Sequence, residues 1–200
     1  ILTEEARLAQ FTHEGGVGGR IRFLQNITGL WILQRLMSEW KTRGEEQSYD
    51  TLIPQAAEAT IASIIPVDDA LFMNPVNMEN ALMDYCRQHD LPVPQNKAEM
   101  VKCVLQSLAF KYKQAVEKLN RCLPSSIRQL NIIGGGSQNK LLNQLTADTL
   151  GIPVYAGPVE ATAIGNILTQ AMAKGEISDL HELREIVRHS ITPQVYHPKK

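Results

Sequence analysis

Between Leu130 and Gly175 the chain twice runs from a short apolar stretch into a helix-patterned one: "LNIIGG", "NKLLNQLTADTL", "IPVYAG", "ATAIGNILTQAMAKG". When a helix lies in the connection between two strands, those strands pair in parallel, and a parallel pair needs helical cover. This tail therefore restricts the fold class to α/β. Gly151 and Gly175 stand where its two helices would end, a position glycine favours because the terminal residue turns left-handed.

Upstream, the pattern is mostly helical. "FTHEGGVGGRIRFLQN" reads as a glycine-rich turn feeding a strand from Ile21 to Gln25. "NITGLWILQRLMSEWK" follows, with Ile27, Leu30, Trp31, Leu33, Leu36, Met37 and Trp40 near the 3.6-residue period and Asn26 as a candidate N-cap. Ser48 or Asp50 opens a second helix, and Asn77 caps a third over "MENALMDYCRQH". Between these two, "IIPVDDALFMNP" reads as an extended connection punctuated by Pro66 and Pro75. The longest helix runs from about Ala98 to Leu119, presenting Val101, Val104, Leu105, Leu108, Tyr112, Ala115 and Leu119 on one face.

Gly134, Gly135 and Gly136 follow what reads as a buried strand and precede a helix starting near Gln138. A tight turn with positive φ accounts for one glycine. Three in a row suit a turn that a ligand approaches closely, with free helix N-terminal amides favouring polar or anionic groups. A dinucleotide fingerprint does not fit: Asn139 replaces its third glycine, and the next strand ends "VYAG" without an acid. No P-loop pattern occurs.

The other chemistry-bearing residues have structural readings. Asp68 and Asp69 suit a turn and a helix start, and Glu160 suits the N-terminus of the last long helix by its charge. Ala161, Ala163 and Gly165 on that helix allow close packing against a neighbouring helix or a ligand. Asn26 and Gln34 are eight residues apart on one predicted helix, about 12 Å along it and about 80° around it. By themselves they read as a cap and a solvent-facing amide. The five histidines show no metal spacing, so no complete active site is legible.

With 20 basic and 21 acidic side chains, a net charge of −1 excludes binding to nucleic acid or anionic membrane driven by net charge. No apolar run approaches the roughly 20 residues that span a bilayer, and no signal segment opens the chain. The ends, "ILTEEARLAQ" and "VYHPKK", read as those of a piece of a longer protein. Cys86, Cys103 and Cys122 lack zinc spacing and read as reduced thiols of an intracellular protein. Cys86 and Cys103 fall on successive predicted helices that a hairpin would bring together; whether they bond stays open.

Four stretches taken together carry a resemblance. "GGRIRFLQNITGLWILQRL", "DDALFMNPVNM", "IIGGGSQNKLLNQLTADTLGIPV" and "AGPVEATAIGNI" resemble the carboxy-terminal domain of the FGGY carbohydrate kinases, the first two being closest to the rhamnulokinase branch. The likeness is in register from about Thr12 to Val195. It implies an actin-like, ribonuclease-H-like second lobe, incomplete at its N-terminal strands and enriched in helices, with residues 1–200 forming part of the nucleotide-binding domain. In that family ATP, with Mg2+, binds between two lobes, while the sugar pocket and the catalytic aspartate lie mainly in the amino-terminal one. That lobe is absent here, as is the "S-G-T-W"-like turn that opens the second lobe.

Carried over by position, Gly135 matches the glycine at the adenosine, and Asn26 and Gln34 match nucleotide-binding amides. The expected cofactor site is thus Asn26, Gln34, Gly134, Gly135, Gly136 and Asn139, with no catalytic and no metal-ligating residue in the chain. The resemblance implies a cytoplasmic parent that phosphorylates L-rhamnulose at its 1-hydroxyl, and a fragment inactive alone that self-associates through its exposed interlobe face. L-fuculose or a pentulose as substrate, and a non-catalytic nucleotide-binding domain, are the alternatives.

Overall fold

The computed structural model of the chain describes residues 1–199; Lys200, the end of the expected domain, lies outside them. Apolar periodicity organises the first part into four helices around one core: α2 (Trp31–Thr42), α3 (Tyr49–Glu58), α4 (Met78–Gln88) and α5 (Lys97–Cys122). Ahead of them come a short α1 (Glu4–Leu8) and an antiparallel ribbon of β1 (Thr12–Gly15) and β2 (Ile21–Leu24).

Two of the three predicted caps form. Ser48 Oγ accepts the Thr51 amide at 3.2 Å and Asn77 Oδ1 accepts that of Asn80 at 2.7 Å; Asn96, a cap the sequence reading did not name, opens α5 by accepting the Glu99 amide. The third expectation fails. α2 starts at Trp31 with Leu30 in the cap position, so Asn26 lies upstream in a loop and is exposed. Thr28 and Gly29, both weak helix formers, favour a loop over a longer helix. The face of α2 rotates accordingly: Ile32, Leu33, Leu36 and Trp40 are buried, whereas Trp31 is 42% exposed. Its indole N–H donates to the Met73 carbonyl at 3.1 Å, and the Arg35 guanidinium lies 5.9 Å from the ring centre.

The tail forms the expected parallel pair. β3 (Leu130–Ile132) runs alongside β4 (Val154–Ala156), with α6 (Lys140–Leu150) in the crossover. Gly151 closes α6 in the left-handed region at φ 70°, and Gly175, at φ 79°, follows α7 (Ala161–Ala173). Two elements extend the expected tail, α8 (Leu180–Ser190) and β5 (Gln194–Tyr196), the latter antiparallel to β4.

The strand order β3-β4-β5 puts β3 at an edge. It is consequently half-buried, with Ile133 beyond it 59% exposed, and not the buried strand its apolar sequence suggests. No residue of α7 is buried, so the close packing expected of Ala161, Ala163 and Gly165 is not made among the described residues. Cys86 and Cys103 do come together on α4 and α5, as two buried free thiols. The contact with Cys86 and the burial push the Cys103 thiol upward.

Candidate functional site

Gly134 occupies φ 74°, ψ −164°, a region that side-chain-bearing residues scarcely enter. This one residue turns the chain out of β3. The turn is then built from its own polar groups: the Gly134 carbonyl accepts the Ser137 amide at 3.0 Å and its hydroxyl at 2.7 Å. The Gly134 amide donates to Pro158 and the Gly157 amide to Ile132, at 3.0 and 2.8 Å, so the loops leaving β3 and β4 brace each other.

α6 opens at Lys140 on an asparagine cap. Asn139 Oδ1 accepts the Leu142 amide at 3.0 Å, and Asn143, fully buried, donates from Nδ2 to the Ser137 carbonyl at 2.8 Å. Both asparagines keep one buried polar atom without a hydrogen-bond partner, Asn139 Nδ2 and Asn143 Oδ1. Such atoms cost free energy unless something reaches them.

The three glycines therefore do different jobs. Gly134 is demanded by its backbone conformation. A Cβ on Gly136 would sit 3.8 Å from the Ile132 side chain, an ordinary contact. Gly135 has no left-handed φ, and a Cβ there would meet nothing within 4 Å. It opens onto a cavity of about 950 Å³. Neither strain nor crowding within the chain asks for glycine at position 135.

Opposite Gly135, the cavity wall comes from the helical part: Leu30 and Gln34 from the start of α2, and Tyr49, Asp50, Ile53 and Pro54 from α3. Asn139 and Lys140 line it at the turn, and Thr192 and Gln194 close it from the tail leading into β5. The lining mixes apolar surface with many polar side chains, and carries one acid, Asp50, and one base, Lys140. Burial raises the Tyr49 hydroxyl above its ordinary value, so it stays a neutral hydrogen-bonding group. A pocket that combines apolar surface with convergent polar groups suits a flat organic ligand with a polar edge.

Of the six residues expected from the sequence, Gln34, Gly135 and Asn139 line this one cavity. Gly134 and Gly136 shape the turn beside it. Asn26 does not line the cavity and stands in the loop preceding its wall at Leu30. Sequence reading missed the α3 wall and the tail residues. The tail did carry a signal: "DLHE" is a capping pattern, and Asp179 Oδ1 accepts the His181 and Glu182 amides at 2.8 and 2.9 Å. The α3 wall had none, because contact across sequence leaves no local pattern.

The loop bearing Asn26 is tied from outside. The Thr28 amide donates to Asp68 Oδ1 at 2.9 Å, and Lys111 Nζ of α5 lies 2.5 Å from Asp68 Oδ2. Partial burial pushes the Asp68 carboxyl up, but the Lys111 ammonium and the Thr28 amide outweigh it and hold it below the usual aspartate range. Asp69 does what its sequence suggests, accepting the Leu71 amide at 2.8 Å in a short helical turn. Among the described residues no cluster of three or more His, Cys, Asp or Glu side chains stands ready for a metal. No helix there is long and apolar enough to cross a membrane.

The chain is similar to known proteins. Residues 1–174 match the model of the FGGY family of carbohydrate kinases, C-terminal domain. The rhamnulokinase of Bacteroides thetaiotaomicron is 45% identical over 200 residues, all of this chain and 40% of that protein. That of Bacillus subtilis is 38% identical over 200 residues, again the whole chain, and 41% of its length. The chain thus spans about two fifths of the curated relatives it matches.

Among solved structures, a xylulose kinase from Lactobacillus acidophilus superposes with a TM-score of 0.60 at 17% identity, covering 96% of this chain and 38% of that one. A gluconate kinase from the same organism gives 0.60 at 17%, covering 95% and 38%. At such identities the likeness is one of fold, and it agrees with an actin-like second lobe. The chain belongs to the FGGY family of carbohydrate kinases, and corresponds to the C-terminal domain of its members.

Proposed function

We propose that the full protein transfers the γ-phosphoryl group of ATP to the 1-hydroxyl of L-rhamnulose in the cytoplasm, and that this chain supplies the adenosine side of the cleft. The observation that carries the reading is the cavity between Gly135 and Gln34, one from each part of the fold. A glycine whose conformation and neighbours leave room for a side chain makes sense where a ligand needs that room. On this reading the adenosine lies over the Gly135 turn, where a Cβ would displace it, and the amides of Gln34 and Asn139 hold its polar edge. The two rhamnulokinases, similar over the whole chain, support L-rhamnulose as the sugar.

Phosphoryl transfer depends on positioning and electrostatic stabilisation. The part of this chain is to bind and orient the nucleoside, so that the phosphates project toward an acceptor held elsewhere. The base that takes the proton from the sugar hydroxyl is assigned to the remaining three fifths of the protein. Mg2+ accompanies ATP in such reactions; the described residues offer no ligand cluster for it.

The test is ADP release by the full-length protein with Mg-ATP and a panel of ketoses. Preference for L-rhamnulose is expected. Turnover confined to L-fuculose or a pentulose keeps the kinase and overturns the sugar. A folded full-length protein with no turnover on any ketose overturns the enzyme in favour of a nucleotide-binding domain.

A further inference from the structure

We propose that Asp68 is a positioning residue of the nucleotide site, holding against α5 the loop that leads into the cavity wall at Leu30 and Gln34; the inference rests on the kinase reading above. The loop runs between β2 and α2, from Gln25 to Leu30, and has no regular secondary structure. One end presents Asn26, and the other reaches the cavity wall at Leu30, one turn before Gln34. Where the loop lies therefore decides where the wall residues Leu30 and Gln34 stand in the cavity.

Its midpoint is fixed by one carboxylate with two partners. Asp68 Oδ1 takes the Thr28 amide at 2.9 Å, and Asp68 Oδ2 meets Lys111 Nζ at 2.5 Å. The Asp68 and Lys111 side chains are 33% and 23% exposed, so water screens the pair only in part. A charge-assisted bond from a backbone amide positions the main chain more firmly than a side-chain contact would.

The segment bearing Asp68 is itself anchored. Val67 and Phe72 are buried in the helical core, and the Asp69 amide closes a turn onto the Pro66 carbonyl at 2.8 Å. A second tie runs from the Trp31 indole to the Met73 carbonyl. A strap of residues 66–73 thus grips the loop at Thr28 and the first residue of α2 at Trp31. α5, which holds Lys111, also packs along α6, whose Leu142 belongs to the same core and whose cap, Asn139, lines the cavity. α5 is the common frame for both walls, and Asp68 fastens the middle of the loop to it, while the Gln25 side chain ties the loop's start to the Ala9 carbonyl at 2.9 Å. This gives "DDALFMNP" a task that its turn-forming residues alone do not suggest.

The experiment is a double-mutant cycle in the full-length enzyme, reading kcat and KM for ATP with the ketose saturating. Asp68→Ala is expected to raise KM for ATP about tenfold while the melting temperature falls by a few degrees at most. Asp68→Asn, which keeps an acceptor for Thr28 and loses the charge, is expected to recover part of that. In a Gln34→Ala background, Asp68→Ala should add less than about twofold, because the group it positions is gone.

Independent, multiplying effects of Asp68→Ala and Gln34→Ala overturn the proposal, as does an unchanged KM. If Asp68→Ala does not fold, Lys111→Met loosens the same carboxylate from the α5 side and must show the same dependence on Gln34. Amide exchange at Thr28 provides a readout without catalysis: protection lost in Asp68→Ala and retained in Asp68→Asn is expected, and unchanged protection overturns the tether. A wild-type enzyme inactive on every ketose overturns the kinase reading and this inference together. An active wild type with an indifferent Asp68 overturns this inference alone.

Discussion

The helical part and the sheet part of the chain differ most in how much each keeps dry. The core formed by α2 to α5 buries Trp40, Phe72, Leu82, Leu105 and Leu108 almost completely, together with neighbours from the strap and from α6. The sheet has a separate small cluster of Ala147, Val154, Ala156 and Tyr196, and α7 beside it buries nothing. Only α6 belongs to both, through Leu142 on one side and Ala147 on the other. The cavity opens along the seam between them. A ligand there meets a deeply anchored wall on the α2 and α3 side and a backbone turn on a thin layer opposite. The stiff half orients the ligand, and the thin half supplies the close approach.

The contrast is broken most directly by truncating each core. Leu105→Ala should cost about 2–5 kcal/mol and Val154→Ala less, both read from denaturant unfolding monitored by circular dichroism. Equal losses would mean that the sheet is no thinner energetically than the helices. Next in size is Gly134→Ala, expected to cost about 1–3 kcal/mol because alanine is strained at that φ and ψ. Gly135→Ala is conformationally free and should cost under about 1 kcal/mol. If the two substitutions cost the same, the division of labour within the turn is wrong.

Gly135→Val sharpens the seam itself. In the full-length enzyme it should weaken apparent ATP affinity at least tenfold, about 1.4 kcal/mol, while leaving the unfolding midpoint nearly unchanged. An unaltered affinity would remove the nucleotide from this turn. The smallest effect belongs to the strap. The folded Asp68 carboxyl titrates below its unfolded value, so its contribution is fully present above about pH 4 and lost as pH falls through the folded value. With the pair a third exposed on the aspartate side, that contribution is at most about 1 kcal/mol. An acid unfolding curve of Asp68→Asn that coincides with wild type above pH 4 would place the tether's worth near zero.

Local pattern was a good guide wherever the causes are local. Caps at Ser48 and Asn77, the left-handed closures at Gly151 and Gly175, and the parallel β3–β4 pair were all legible, because each depends on a few consecutive residues. The start of α2 was misread by four residues, since the apolar period continues through Ile27 and Leu30 although the helix does not. The strand "LNII" looked buried because periodicity cannot tell a central strand from an edge strand with apolar residues.

The candidate site divides along the same line. Sequence by itself determined the glycine turn, its place after a strand, and the family to which the chain belongs. Only the tertiary structure decided that Gln34 faces Gly135 across one cavity, that α3 and the tail complete the wall, and that Asn26 sits in a loop fastened through Asp68 to Lys111. The physical reason is range. Backbone conformation and capping are settled within one or two turns of chain, whereas a cavity exists only where packing of a whole core brings distant segments to the same place.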